Sequence, residues 1–449
     1  MGKADGRVSK RHLTKNLWAG VCAAMTLSAS ALADDLTIVY AGTLLAQPGE
    51  QPLENQTIII RNGLFDRVAA GQLTVAEAGA GAEDDVTVYD LSDMFVMPGL
   101  IDGHVHLTGE LGPKQKLAHV ERSDPDVAMV AAGHAKKTLM AGFTTVRDVG
   151  AAGGDAIFAL RDGVARGDVV GPRIFASGST ISPTGGHGQR HGYRADVMHA
   201  LHSSGVCDGA DACRKAVRRQ VRRTADHIKL VATGGVLSET AAGTGQQFFE
   251  DELGAIMETA HSLGRKVTAH AHGASGINAA LRAGVDSIEH GTFANDESFA
   301  LFKEKGAYLV PTILAGVTVA EIADNPNSFF PKPIQEKAKR VGPQIIDMVR
   351  RAHAAGVPIA FGTDTGVSKH GENAREFVLL VEAGLTPMEA IAAATVKIAD
   401  NMDKSDVLGT VEPGKYGDLV AVYGDPLSDI SELLDVDFVM KEGVAYKTR

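Results

Sequence analysis

An α/β chain built on a (β/α)8 barrel of the TIM type, with a small β-sandwich formed by both chain ends, is the fold class this sequence predicts. Three observations predict it. β-Rich stretches open and close the chain, eight short apolar runs lie between them, and helical patterns separate those runs. Across 449 residues, 44% hydrophobic and 22% charged composition is ordinary globular usage, enough to bury a large core.

Residues 1–33 read as an export signal. Lys3, Arg7, Lys10, Arg11 and Lys15 precede an apolar run from Leu17 to Leu27, and Ala31-Leu32-Ala33 fits a small-residue cleavage motif. The run falls short of the roughly 20 residues a membrane span needs. The expectation is therefore a mature chain beginning at Asp34, periplasmic or secreted, with no membrane anchor. Cys22 would leave with the signal, so the mature chain would hold only Cys207 and Cys213. In an oxidising compartment a local disulfide is favoured over a metal-ligand pair, with two free thiols as the alternative.

Residues 34–95 alternate apolar and polar side chains in short runs broken by Gly- and Ala-rich turns, the pattern of antiparallel β structure. Residues 404–449 carry a matching pattern around 418–423 and 436–440, so the two ends are expected to form one sandwich. Between them, residues 96–403 are assigned to the barrel. The eight apolar runs are 94–97, 144–148, 173–177, 227–231, 266–270, 287–290, 308–311 and 358–364, with helical patterns over 127–140, 252–263 and 277–283. The longest insertion, 179–224, carries His187, His191, Tyr193 and Arg194 among glycines, together with both remaining cysteines. Long ordered loops are where substrate contacts tend to lie. The formal net charge of −11 weighs against a nucleic-acid partner, which would need clustered Lys and Arg.

In a parallel barrel the reactive rim is at the C-terminal ends of the strands. His104 and His106 follow the first run, Lys229 lies in the fourth, His270 and His272 end the fifth, His290 the sixth and Asp364 the eighth. Side chains at i and i+2 of an extended segment point the same way, so His104 and His106 can grip one ion. A lone histidine is more often a hydrogen-bonded loop or core residue; this many at strand ends reverse that expectation. Lys229 sits in an apolar strand, where an ammonium is costly unless paired or modified.

The stretches Pro98-Gly99-Leu100-Ile101-Asp102-Gly103-His104-Val105-His106, Gly142-Phe143-Thr144-Thr145-Val146-Arg147-Asp148, Ile228-Lys229 with Thr233-Gly234-Gly235-Val236, His270-Ala271-His272-Gly273, Ile288-Glu289-His290-Gly291 and Gly362-Thr363-Asp364 together carry a family pattern. The chain resembles the amidohydrolase superfamily, and within it the secreted imidazolonepropionase-like and Xaa-Pro dipeptidase-like branch that includes ochratoxin-hydrolysing enzymes. The resemblance implies that Lys229 is carboxylated by carbon dioxide to a carbamate (N6-carboxylysine) bridging two divalent metals, usually zinc. His104 and His106 would hold the more buried ion with Asp364, and His270 and His290 the more exposed one. His272 is then a substrate contact, alongside His187, His191, Tyr193 and Arg194, with Arg194 or Arg147 able to pair a carboxylate in a two-pronged way.

The implied reaction is hydrolysis of an amide by metal-bound hydroxide, with Asp364 as general base turned general acid. The leaving group would be an amino acid bearing a free carboxylate, as in Xaa-Pro dipeptides, N-acyl amino acids or ochratoxin A, which would give L-phenylalanine and ochratoxin alpha. The alternatives are a ring hydrolase acting on cyclic amides, lactones or imidazolones with the same metals, a one-metal deaminase, and a scaffold without activity. Filled ligand positions weigh against the last. Relatives of this branch assemble symmetrically, often as octamers, so a homo-oligomer is implied.

Overall fold

The computed structural model describes residues 34–150, 155–238 and 243–448; the export signal expected over 1–33 lies outside them. Strands β1 (Asp35–Leu44), β2 (Leu53–Arg61), β3 (Leu64–Ala70) and β4 (Asp85–Pro98) come first. Strands β5 (Leu100–Val105), β6 (Phe143–Asp148), β7 (Arg173–Ala176), β8 (Ile228–Val231), β9 (Val267–Ala271), β10 (Ser287–His290) and β11 (Tyr308–Val310) follow, with helices between most of them. β12 (Leu419–Val422), β13 (Phe438–Lys441) and β14 (Val444–Lys447) close the chain.

Both chain ends meet in one seven-stranded sheet of order β14-β13-β12-β4-β1-β2-β3. It is one mixed sheet, not two antiparallel layers, because β1 and β4 pair in parallel. The β2–β3 hairpin extends one side of β1, and 71–84 then carry the chain back across to its other side, the kind of long crossover a parallel pair requires. The register of β1 against β4 shifts between Ala41 and Thr43, and a Cβ at Gly42 would collide with the Ser92 carbonyl oxygen. Past this irregularity the sheet folds over its own core, and Tyr89 meets Phe438 with ring centroids 5.4 Å apart. Val39, Ile58, Ile60, Val96, Leu419 and Met440 are buried there.

The remaining strands form two parallel sheets, β5-β6-β7 and β11-β10-β9-β8. Hydrogen bonds join them along both edges. On one side Ile181 donates its N–H to the Lys229 carbonyl at 2.8 Å and accepts from Val231 N at 3.1 Å. On the other, 358–365 runs between β11 and β5: Leu309 N donates to Pro358 O at 2.8 Å, and Gly103 N donates to Phe361 O at 3.1 Å. This eighth run makes isolated bridges rather than a regular ladder, partly because Pro358 has no N–H to give.

One expected strand is corrected. Residues 94–97 are not the first parallel strand; they end β4, paired with β1 and β12, and Pro98-Gly99 turns the chain into β5, which itself contains His104. An apolar run buried on both faces reads alike in either sheet, so composition alone could not separate them. The helices Asp124–Met140, Glu250–Ser262 and Ala274–Ala283 overlap the expected helical patterns. Within the long insertion lie helices Ala195–Ala200 and Ala210–Arg222, and Cys207 is disulfide-bonded to Cys213.

The two parts are joined through Arg173 on β7. Its guanidinium pairs with Asp418 at 2.8 Å and Glu442 at 2.5 Å, and stacks over the Tyr416 ring at 3.7 Å. Arg173→Ala would strand the Asp418 carboxylate, whose side chain is only 5% exposed. A loss of about 3 kcal/mol is expected, read as a lower urea midpoint.

Candidate metal centre

Strand geometry brings the ligand-type side chains to one end of the parallel sheets. His104 is the next-to-last residue of β5 and His106 follows that strand; His270 is the next-to-last residue of β9 and His272 follows it; His290 ends β10, and Lys229 lies within β8. All are buried except His106, whose side chain is 32% exposed. His290 and Asp364 both have left-handed backbone, at φ of 71° and 56°, as does Thr312 at 51°. Such residues cost about 1–3 kcal/mol each and persist where the surrounding structure imposes them.

The protons can be placed from partners that only accept. His104 Nδ1 donates to Glu289 Oε2 at 2.6 Å, and His106 Nδ1 donates to the Gly150 carbonyl at 2.8 Å. His290 Nδ1 lies 2.7 Å from Thr312 Oγ1, whose own hydrogen goes to the Pro311 carbonyl, so this nitrogen donates too. Each ring, when neutral, therefore keeps a bare Nε2. Two of these approach one carboxylate oxygen, Asp364 Oδ1 lying 3.1 Å from His106 Nε2 and 3.5 Å from His104 Nε2.

Lone pairs facing a carboxylate require a positive charge among them. Burial lowers the His106 pKa, yet Asp364 outweighs it and the net shift is upward. Burial likewise raises the Asp364 carboxyl, and His104 and His106 hold it well below the usual carboxylate range. Asp364 Oδ1, His104 Nε2 and His270 Nε2 are all buried without a hydrogen-bond partner. Leaving a buried polar atom unsatisfied costs about 1–3 kcal/mol, so this donor set fits a divalent cation.

Two adjoining triads emerge, His104 with His290 and Asp364, and His270 with His272 and His290, the donor atoms within each lying within 4.8 Å of one another. They share His290. Burial pushes His270 and His290 well below the usual histidine value and His272 to about 4, so these rings are neutral and ready to ligate. His272, expected at the substrate, stands in the cluster itself, its ring stacked on His290 at 4.9 Å. Lys229 lines the same cavity, and burial pushes its amine down to about 8.

The insertion contributes differently from expectation. His187 packs its ring 4.3 Å from that of His270, under Gly235, where a Cβ would collide with it, and burial pushes it to about 3. His191, Tyr193 and Arg194 do not line the cavity. His191 Nε2 bonds to Gly186 O at 3.0 Å, Tyr193 donates to Lys116 O at 2.8 Å, and Arg194, 81% exposed, pairs with Asp196. Arg147 cannot reach a substrate either: it is buried, donating to Gly103 O, Asn401 Oδ1 and Glu289 Oε1.

Glu289 escaped the sequence reading, although an acid between Ile288 and His290 in a buried strand carries the same signal as Lys229. Its carboxylate accepts a hydrogen bond from His104 Nδ1 and pairs with the Arg147 guanidinium, which together outweigh burial and keep it ionised. A carboxylate behind a metal-binding histidine fixes its tautomer and ring direction. Glu289→Gln is expected to weaken metal retention about 10–100-fold, measured by chelator competition.

Above the cluster opens a cavity of about 1370 Å³. Lys114, Arg122, Arg190 and Arg223 line it together with Glu110 and Asp124, and the Arg223 guanidinium is already paired with Asp155.

Residues 95–445 match the amidohydrolase family. The chain is 32% identical over 441 residues to ochratoxinase of Aspergillus niger, covering 92% of this chain and 87% of that protein. The solved structure of a Xaa-Pro dipeptidase with bound methionine in its active site superposes with a TM-score of 0.84 at 41% identity, covering 92% of this chain and all of that one. A prolidase complexed with N-methylphosphonate-L-proline does so with a TM-score of 0.82 at 29% identity, again over 92% and 100% of the two chains.

Proposed function

The chain belongs to the amidohydrolase family and is a hydrolase of amide bonds, and from that premise we propose that it is a two-zinc enzyme releasing a carboxylate-bearing amino acid from a small amide or dipeptide. The observation that carries this reading is the convergence of imidazole nitrogens on Asp364 Oδ1 beneath a cavity whose lining includes Lys114 and Arg122. The supporting relatives are a dipeptidase, a prolidase and an ochratoxinase. Ochratoxin A, giving L-phenylalanine and ochratoxin alpha, is one candidate substrate.

His104, His106 and Asp364 would hold one ion, His270 and His290 the other, with His272 at hand beside them. Lys229, as its neutral amine, would add carbon dioxide with loss of one proton, and the resulting carbamate would offer anionic oxygens as further ligands. When bound, the two ions activate water and polarise the scissile carbonyl. Asp364 takes the proton of the attacking water and delivers it to the leaving amine. Lys114 and Arg122 in the cavity lining would pair with the substrate carboxylate, and the buried rings of His187 and His272 exclude bulk water from the reacting end.

We further propose a closed (β/α)8 barrel from β5 to residue 403, a β-domain from 34–98 and 404–449, export to the periplasm or medium directed by 1–33, and a homo-oligomer, octameric in its fullest form. Among the described residues no helix is long and apolar enough to cross a membrane.

A substrate panel on the zinc-loaded protein tests this. Xaa-Pro dipeptides, N-acyl amino acids and ochratoxin A are expected to be cleaved, and converting their carboxylate to a carboxamide should lower kcat/KM by about 100-fold, the value of a lost charge-assisted pair. Turnover confined to neutral lactones or cyclic imides would favour the ring-hydrolase reading, which has no use for Lys114 and Arg122.

A further inference from the structure

A separate set of ligand-type side chains gathers behind the loop that carries His106. Glu110 comes from that loop, His134 from the helix Asp124–Met140, and His370 from the segment after Asp364. One donor atom of each lies within 4.8 Å of the others. The rings of His134 and His370 stack with centroids 4.1 Å apart and 18° between their planes. Both are more than nine-tenths buried, at 9% and 5% exposure.

The proton inventory is again decisive. His134 Nδ1 donates to the Leu107 carbonyl at 2.8 Å, and His370 Nε2 donates to the Gly109 carbonyl at 2.9 Å. Carbonyls only accept, so His134 Nε2 and His370 Nδ1 are left as lone pairs. His370 Nδ1 is buried with no hydrogen-bond partner. Burial, and then the neighbouring His134, pushes the His370 ring to about 3, so a proton does not fill the gap near neutral pH.

We propose that Glu110, His134 and His370 form a third cation site, distinct from the central cluster, that takes a zinc-class divalent ion. Two imidazole nitrogens and a carboxylate oxygen are the donor set such ions prefer, with one position left for water. An ion with ligands at about 2.0–2.1 Å would fix the three side chains relative to one another. The role of the ion is to lock two ligand-bearing segments to each other. Leu111 N already donates to Gly366 O at 2.6 Å, and His370 N donates to Glu110 Oε2 at 3.1 Å. The first segment presents His106 and the second Asp364, so their spacing at the centre depends on this junction.

The test compares zinc content of wild type, His370→Ala and Glu110→Gln, each loaded with zinc and desalted, by elemental analysis. Each variant is expected to hold one equivalent per chain less than wild type, and to lose part of the zinc-dependent rise in thermal midpoint. Wild-type zinc content in both variants would overturn the site. Should His370→Ala fail to fold, anomalous diffraction at the zinc edge from wild-type crystals decides: a peak among the three residues supports the site, and its absence refutes it. The outcome is a difference of one equivalent, so it does not depend on how many ions the central cluster holds.

Discussion

Lys229→Ala is expected to lower amide hydrolysis by about 1000-fold or more, and to cut the metal held by the central cluster to less than one ion per chain, with the fold intact. A 1000-fold loss corresponds to about 4 kcal/mol of transition-state stabilisation, a magnitude within reach of an ion that polarises the reacting groups. The fold should survive because Lys229 is a buried amine in β8 whose charged form burial already penalises. Removing it relieves that penalty while losing stem packing, two effects of opposite sign. Far-ultraviolet circular dichroism, elemental analysis and kcat on the same preparation separate the cases. Full activity with full metal content would rule out a bridging lysine and leave the histidines and Asp364 as the whole ligand set.

Asp364→Asn carries the second largest expected effect, a fall in kcat of about 10²–10⁴-fold, the range for removing a general acid–base group. Asparagine is the informative substitution because Asp364 has φ of 56°, a conformation asparagine tolerates far better than alanine or a branched residue. Shape is preserved and charge is removed. The fall should appear in kcat more than in KM, since the carboxylate acts on the reacting proton and not on the distal substrate carboxylate. Asp364→Asn also takes away the anion that raises the His106 pKa, so the His106 titration followed by NMR in metal-free protein should move down. An unchanged kcat would remove Asp364 from the proton path.

Much of the candidate centre was legible in the chain because strand geometry is regular. His104 and His106 at i and i+2, and His270 and His272 likewise, must share a face of an extended segment, and a lysine in an apolar strand announces itself. The helices and most of the parallel strands were legible from periodicity for the same reason. The first parallel strand was misplaced by a few residues because a buried run such as 94–97 carries no mark of the sheet it joins. Substrate contacts in the 179–224 insertion were the least legible. There His187 turns inward beneath Gly235 while Arg194 turns out to Asp196, and spacing in a loop does not encode direction.

What the sequence by itself determined, then, is the inventory and its order: ligand-type residues at the ends of successive strands, a buried lysine among them, and β structure at both ends of the chain. Only the tertiary structure decided where the protons sit and which lone pairs meet. Glu289, Gly150 and Thr312 bind the Nδ1 atoms of His104, His106 and His290 from β10 and from loops distant in the chain, and this turns three ordinary imidazoles into bare donors around Asp364. Periodicity sets which way a side chain points within its own strand. Its hydrogen-bond partner is set by whatever other segments pack against it, and for these histidines those segments lie up to 185 residues away.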